Sequence, residues 1–143
     1  MAAYVKQVIV LRTKYPDGRG GFFKPRLGKM AAQAAHASMK VFFDRCYSAG
    51  ANHPCTFGPE KDWDWSVVKS WVEGTFTKVV VGCESAQELL DLQQRAQAMK
   101  LPCALIQDVG TTEFHGQATW TALAIGPALS EQLDPVTGHL KLL

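Results

Sequence analysis

Polar side chains recur along one side of an alanine-rich stretch, residues 28–49, whose composition predicts a helix. At about 100° per residue, one narrow stripe holds Lys29, Gln33, His36 and Lys40, and small or apolar residues cover most of the remaining surface. We therefore expect this helix to be buried on most sides. Lys29 stands in the first turn, where unpaired N–H groups and the helix dipole favour an anion, so the pattern predicts an anion-binding site. The alternative is a solvated lysine on a wet helix face.

A carboxylate, Asp108, follows a predicted strand at residues 102–107 and opens a turn that contains Thr112. Arg12 stands at the carboxyl end of another predicted strand. Because ligands gather at the carboxyl ends of parallel strands, we expect Arg12 and Asp108 to share one sheet edge with Lys29. A carboxylate near a cation stays ionised and orients a water or hydroxyl, and the cation stabilises an oxyanion or a phosphate. This set predicts a hydrolytic site, unless Asp108 only caps its turn.

The segments that position these residues alternate between strand and helix patterns. Apolar and β-branched runs predict strands at 4–13, 76–83, 102–107 and 118–125, and helical periodicity predicts helices at 28–49, 63–73 and 85–100. The order βααβαββ, with a short helix near 128–133, predicts an α/β fold of three layers, α/β/α, around a four-stranded mixed β-sheet. We expect a single domain, 1–143, in which Gly126-Pro127 ends the last strand and residues 140–143 pack back on the rest.

Basic side chains concentrate near the N-terminus. Residues 1–45 hold nine Lys and Arg against two Asp, a net charge of +7, and the remainder holds six against eleven, a net charge of −5. The loop predicted at residues 14–27 carries Arg19, Lys24 and Arg26, a cluster that favours contact with phosphates. A solvated basic loop is the alternative.

Several other site types are excluded by residue spacing. The glycines around Lys29 fit neither a P-loop nor a dinucleotide-binding fingerprint, and the only serine near His36, Ser38, lies on the opposite face of the helix. The four cysteines show no metal-binding spacing, so we predict reduced thiols and no metal site; Cys46, His53 and Cys55 lack a fourth ligand nearby. No apolar run is long enough to span a membrane and no signal-peptide pattern occurs, so we expect a cytoplasmic protein.

Four sequence blocks, in order along nearly the whole chain, resemble the archaeal and eukaryotic type of peptidyl-tRNA hydrolase, the type 2 family. The blocks are residues 29–37 (KMAAQAAHA), 105–112 (LIQDVGTT), 124–127 (AIGP) and 137–143 (TGHLKLL), with a valine-rich strand between the first two. The resemblance implies a hydrolase that cleaves the ester between peptide and tRNA to recycle stalled tRNA. It implies no metal and no cofactor, a tRNA partner and often a homodimer.

The resemblance also implies roles for individual residues. By position, Lys29, Asp108 and Thr112 match the family's catalytic residues, and Thr121 matches a threonine on its last strand. In the implied mechanism, Lys29 holds a phosphate or the oxyanion, Asp108 and Thr112 orient the attacking water, and Thr121 supports them. We predict that substrate is bound by Arg12, Arg26, Gln33, His36 and Thr121.

The chain departs from the family pattern before Lys29. The loop at residues 14–27 is longer than usual and carries Phe22 and Phe23, and Thr111 stands where a basic residue is common. Two alternatives therefore stay open. One is a noncatalytic RNA-binding or scaffold relative whose loop covers the site. The other is a hydrolase of the same fold that acts on a different acylated or anionic substrate.

Overall fold

Strands and helices alternate along the chain in the computed structural model, which describes residues 4–47, 56–57, 62, 64–110 and 117–143. The helices are α1 (Leu27–Phe43), α2 (Trp65–Glu73), α3 (Ala86–Ala98) and α4 (Ser130–Thr137). The strands are β1 (Val5–Arg12), β2 (Tyr15–Pro16), β3 (Phe22–Phe23), β4 (Cys46–Tyr47), β5 (Thr56–Phe57), β6 (Lys78–Cys83), β7 (Cys103–Asp108), β8 (Thr119–Leu129) and β9 (Lys141–Leu142).

The main sheet has five strands in the order β7-β8-β1-β6-β9. Strands β1 and β6 are parallel, whereas β8 is antiparallel to both β1 and β7, and β9 is antiparallel to β6. Strands β1, β6 and β7 therefore run in the same direction, and their carboxyl ends share one edge of the sheet. Arg12 and Asp108 are the last residues of β1 and β7, so both lie at that edge as expected.

The expected sheet of four strands and the order βααβαββ are wrong in two respects. Residues 140–143 do pack back on the protein, but they do so as a fifth strand, β9, which pairs with the outer edge of β6. Two residues are too few to show a strand pattern, and their pairing satisfies backbone groups that an open edge would expose. In addition, two short antiparallel pairs of strands, β2 with β3 and β4 with β5, lie outside the main sheet.

Strand β8 continues through Gly126-Pro127, which we expected to end it, and reaches Leu129. The register with β1 shifts at this point, so that two residues of β8 lie opposite Gln7. Such a bulge lets a proline stand within a strand. The Gln7 side chain, which is fully buried, donates a hydrogen bond to the carbonyl oxygen of Gly126.

Alternating residues of the central strands supply two separate cores, and this confirms the three layers. Val8 and Val10 of β1 pack with α3 and α4 on one face of the sheet. Ile9 and Leu11 pack with α1 on the other face. The period of two in a strand produces this division directly.

Helix α1 is buried on one side only, so the expectation that it is buried on most sides is wrong. Its buried residues are Met30, Gln33, Ala37 and Val41. The opposite side is exposed and apolar, and it comprises Leu27, Ala31, Ala32, Ala35, Met39 and Phe43. The helix ends at Phe43, six residues before the predicted end at residue 49. Just after Phe43, the Arg45 guanidinium donates hydrogen bonds to the Val41 carbonyl and to Asp62.

Cysteine chemistry also differs from the expectation at one position. Cys46 forms a disulfide bond, whereas Cys83 and Cys103 carry free thiols. His53 and Cys55, the residues that could have joined Cys46 as metal ligands, lie outside the described residues. Within the described ranges, His, Cys, Asp and Glu form no cluster of three or more with the geometry of a metal site.

No helix in the described part of the chain combines the length and apolar character that crossing a membrane requires.

Candidate active site

An ammonium and a carboxylate meet at the carboxyl edge of the sheet. Nζ of Lys29, in the first turn of α1, lies 2.6 Å from Oδ2 of Asp108 at the end of β7. Only 13% of the Lys29 side chain and 11% of the Asp108 side chain are exposed. The pair is therefore less screened by water than a surface ion pair.

Helix packing brings these two residues together although they are distant in sequence. Helix α1 lies across β7 and β8 on the face that carries Met30 and Ala37. Its first turn therefore reaches the edge where β7 ends. The backbone N–H of Met30 bonds the Arg26 carbonyl, so the first turn is formed, and no acidic residue occupies it. The carboxylate that complements this helix terminus comes from β7 instead.

The Gln33 side chain connects Asp108 to a third element. Its Nε2 donates to Oδ2 of Asp108 at 2.9 Å, and its Oε1 accepts from the Thr121 hydroxyl at 2.6 Å. Gln33 and Thr121 are both buried. Both ends of the Gln33 amide are thus engaged within the protein, and the amide links the Asp108 carboxylate to strand β8.

The Asp108 carboxylate accepts hydrogen bonds on both oxygens. Oδ2 accepts from Lys29 and Gln33, and Oδ1 accepts from the backbone N–H of Gly110 at 2.7 Å. Burial alone would raise the pKa of Asp108, but the Lys29 and Gly110 hydrogen bonds, the Lys29 charge and the Gln33 amide together hold this pKa below its ordinary value. Asp108 is therefore ionised at neutral pH and is a weak base.

Gly110 adopts a conformation that few other residues tolerate. Its φ is +85°, which turns its N–H back toward Asp108 two residues earlier. Side chains with a Cβ rarely adopt this region. Gly110 therefore helps to hold the Asp108 carboxylate in position.

Arg12 lies beside the ion pair and lines the same small cleft as Lys29. Its guanidinium stacks 4.3 Å from the ring centroid of Tyr15, and it bonds the carbonyl oxygens of Lys14 and Trp120. Tyr15 is buried beneath it, and this burial, only partly offset by the Arg12 charge, raises the pKa of the Tyr15 hydroxyl well above its ordinary value. Tyr15 is thus uncharged at neutral pH, and its ring packs against the Arg12 guanidinium.

The remaining predicted site residues lie further out. Arg26 is exposed at the position that precedes α1. His36 is exposed one turn beyond Gln33 and forms no hydrogen bond with the described residues. Thr112, the third predicted catalytic residue, lies outside the described residues, as does Thr111.

The basic segment before Lys29 is partly ordered as the hairpin β2–β3, which sequence reasoning interpreted as a loop. Asp17 closes its turn by accepting the N–H groups of Arg19 and Gly21. The Tyr15 and Phe23 rings stack across the two strands at 5.6 Å. The Asp17-Gly18 pair, which lies between Tyr15 and the two phenylalanines, is a sequence pattern that favours a hairpin.

Fold and site together define an α/β protein with a shielded ammonium–carboxylate pair at the carboxyl edge of a mixed sheet. The sequence pattern of a family described as "Peptidyl-tRNA hydrolase PTH2" matches residues 5–143. The chain therefore belongs to this peptidyl-tRNA hydrolase family, a family of hydrolases that act on the ester bond of peptidyl-tRNA. The resemblance inferred from the four sequence blocks is confirmed.

Archaeal relatives agree with this assignment over nearly the full length of the chain. A peptidyl-tRNA hydrolase of Methanocaldococcus jannaschii is 36% identical over 139 residues, which cover 97% of this chain and 100% of the relative. That of Methanopyrus kandleri is 38% identical over 138 residues, or 96% and 97% of the two chains. That of Saccharolobus islandicus is 34% identical over 139 residues, or 97% and 99%.

Proposed function

We propose that this chain hydrolyses the ester that joins a peptide to the terminal ribose of tRNA, with the Lys29–Asp108 pair as its chemical centre. The observation that carries the proposal is the shielded 2.6 Å contact between these two side chains. It lies at the sheet edge where α/β proteins bind their ligands, in a chain that belongs to a peptidyl-tRNA hydrolase family.

Asp108 orients the attacking water in this mechanism. Three of the roughly four acceptor positions of its carboxylate are taken by Lys29, Gln33 and Gly110. The remaining position, on Oδ1, holds the water. Because the depressed pKa makes Asp108 a weak base, its contribution is orientation of the water and electrostatic complementarity, not full proton removal.

Lys29 stabilises the negative charge that develops on the substrate. Water adds to the ester carbonyl carbon, and the ammonium faces the oxyanion that forms. The bond from this carbon to the ribose oxygen then breaks, and the ribose oxygen leaves as a hydroxyl after taking up the proton released by the water. We assign Thr112 to the same water, and Thr121 to support through Gln33.

The tRNA backbone contacts the basic surface beside this centre. Arg19 is exposed on the β2–β3 hairpin, Lys24 is exposed just after it, and Arg26 is exposed at the start of α1. All three belong to the basic N-terminal part of the chain, and phosphate contacts of this kind fix position without reading sequence. Such a partner is engaged in translation, so we propose a cytoplasmic location.

We also propose that the chain forms a homodimer through α1. The exposed side of α1 carries a ridge at four-residue spacing, in which Leu27, Met39 and Phe43 are 84%, 56% and 61% exposed and Ala31 and Ala35 lie between them. Small residues on such a ridge permit close helix packing, and the same patch on two copies is self-complementary. Sedimentation equilibrium should give a dimer for the wild type and a monomer for Ala35→Glu.

The experiment that tests the activity is multiple-turnover release of an N-acetylated amino acid from tRNA by chelator-treated protein. The wild type should turn over, and Asp108→Ala and Lys29→Ala should lose at least about a hundredfold in kcat/KM. Lys40→Ala is the matched control, because Lys40 also stands on α1 and pairs with an aspartate at 2.6 Å but is exposed. tRNA binding without turnover would favour a noncatalytic relative, and turnover only of other esters would favour a different substrate.

A further inference from the structure

A cavity of about 590 Å³ lies between the β2–β3 hairpin, the start of β8 and the start of α3. Arg12, Tyr15, Phe23 and Trp120 contribute to its walls. Its volume falls within the range of about 300–1,000 Å³ that is typical of small-molecule sites. The proposed ester chemistry uses none of this space, so the cavity is available to another part of the substrate.

The cavity adjoins the Lys29–Asp108 pair. Arg12 and Tyr15 form part of the cavity wall. The same two residues also line a small neighbouring cleft, to which Lys29 contributes. Thr119, also in its wall, is the β8 partner of Asp108 in the sheet register. The Asp108 carboxylate and the cavity wall at Thr119 therefore belong to neighbouring strands, which lie about 4.8 Å apart in a sheet.

The walls have the chemistry that holds a nucleobase. The Arg12 guanidinium lies over the Tyr15 ring, which is only 3% exposed and also stacks on Phe23, so the guanidinium rather than the tyrosine offers the surface for a base. Single-stranded RNA ends are recognised by stacking of this kind on aromatic rings and guanidinium planes. Two carbonyl oxygens fix the Arg12 guanidinium, and its Nη2 has no hydrogen-bond partner in the described ranges. The Gln117 amide adds a donor and an acceptor for a base edge.

We propose that this cavity binds the adenine of the 3′-terminal adenosine of tRNA, the nucleoside that carries the ester. The inference deepens the proposed function and rests on it. Arg19 and Lys24 extend the positive charge outward from the cavity, where the phosphates of the preceding nucleotides then lie. A side chain of the peptide is the competing occupant, but it would explain neither the stacked guanidinium nor this adjoining basic surface.

The first test measures binding, which does not depend on turnover. The probes are the trinucleotide cytidylyl-cytidylyl-adenosine and the same trinucleotide with an abasic 3′ end, titrated by calorimetry into the full chain. We expect at least about tenfold tighter binding of the adenine-ended probe, because stacking of one base contributes a difference of this size. Ala86→Trp fills the cavity from the first residue of α3 and should abolish the preference.

Gln87→Trp is the matched control, since it adds the same bulk at the next, exposed position outside the cavity and should keep the preference. If Ala86→Trp does not fold, Thr119→Trp fills the cavity from the opposite wall. Equal binding of both probes by the wild type would overturn the proposal, and so would a preference that survives the filled cavity.

A second measurement separates this proposal from the proposed function. N-acetyl-aminoacyl esters of adenosine and of 1-O-methylribose differ only in the base. The wild type should favour the adenosine ester through a KM at least about tenfold lower, and Ala86→Trp should remove that advantage. Adenine-dependent binding with no hydrolysis of either ester would contradict only the hydrolase function. An effect of Ala86→Trp on the choice among acyl groups, with the preference for adenine intact, would assign the cavity to the peptide and overturn the proposal.

Discussion

The Thr121 hydroxyl donates to Oε1 of Gln33 at 2.6 Å and thereby determines which end of the Gln33 amide faces Asp108. With Oε1 engaged by Thr121, Nε2 is the atom that meets the Asp108 carboxylate. Thr121 is 1% exposed and Gln33 is 4% exposed, so water does not compete for these bonds. A relay of three side chains thus extends from β8 through α1 to β7.

Removing the Thr121 hydroxyl should uncouple this relay. Thr121→Val leaves the buried Oε1 of Gln33 unpaired, which costs about 1–3 kcal/mol of folding free energy, and lets the amide rotate away from Asp108. We expect kcat to fall roughly tenfold with little change in KM, as for a lost positioning contact. Thr121→Ser, which keeps the hydroxyl, should retain most activity. Equal kcat values for the valine and serine variants would show that the relay plays no part.

The depressed pKa of Asp108 predicts a pH-dependent contribution to stability. The folded-state pKa lies below the ordinary value of 3.8, so the ionised carboxylate stabilises the fold above that pH. This contribution disappears as the pH falls through the lower, folded-state pKa. Urea denaturation should show wild type more stable than Asp108→Asn by about 1–2 kcal/mol at pH 6, a gap that closes toward pH 2. A gap that is constant over this range would refute the linkage.

Loss of the Gly110 hydrogen bond should raise the pKa of Asp108. Gly110→Ala places a Cβ on a residue with φ of +85°, so the backbone shifts and its N–H leaves Oδ1. The acid limb of the kcat/KM profile should then move to higher pH. Gly20→Ala is the control, because Gly20 has a nearly identical φ of +84° in the hairpin and a Cβ there meets no atom. The same shift in both variants would exclude a specific effect on Asp108.

The basic hairpin predicts a salt-dependent affinity for tRNA. The logarithm of the binding constant should fall linearly with the logarithm of salt concentration, by roughly 0.7–0.9 per neutralised phosphate. Arg19→Ala and Lys24→Ala should each lower the slope by about one unit or less. Lys100→Asn, at the far end of α3, should leave it unchanged, since asparagine tolerates the positive φ of that position. A slope near zero for the wild type would contradict phosphate binding.

Much of the fold follows from local sequence signals. The alternation of Val8 and Val10 with Ile9 and Leu11 determines which face of β1 meets each helix layer. The Ser85 hydroxyl accepts the N–H of Glu88 at the start of α3, an arrangement that a serine followed by a glutamate three residues later favours. Signals of this kind depend on neighbouring residues alone, so they are legible before any tertiary contact is known.

Features that depend on distant partners were not predictable in the same way. Strand β9 exists because β6 offers it an edge, and its two residues have no pattern of their own. The exposed side of α1 has the same small, apolar residues as its buried side, so composition does not reveal which side meets the sheet. The predicted strands and helix were enough to place Lys29 and Asp108 at one edge of the sheet. The Gln33–Thr121 hydrogen bond was not predictable, because it forms only when α1, β7 and β8 are packed together.

The central claim, that Lys29 and Asp108 act as one chemical unit, is tested most directly by a double-mutant cycle on kcat/KM for N-acetyl-aminoacyl-tRNA. We predict that Lys29→Ala, Asp108→Ala and the double variant are reduced to a similar extent, because residues that work as a unit have non-additive effects. Losses that multiply in the double variant, or a Lys29→Ala enzyme as active as Lys40→Ala, would contradict the claim.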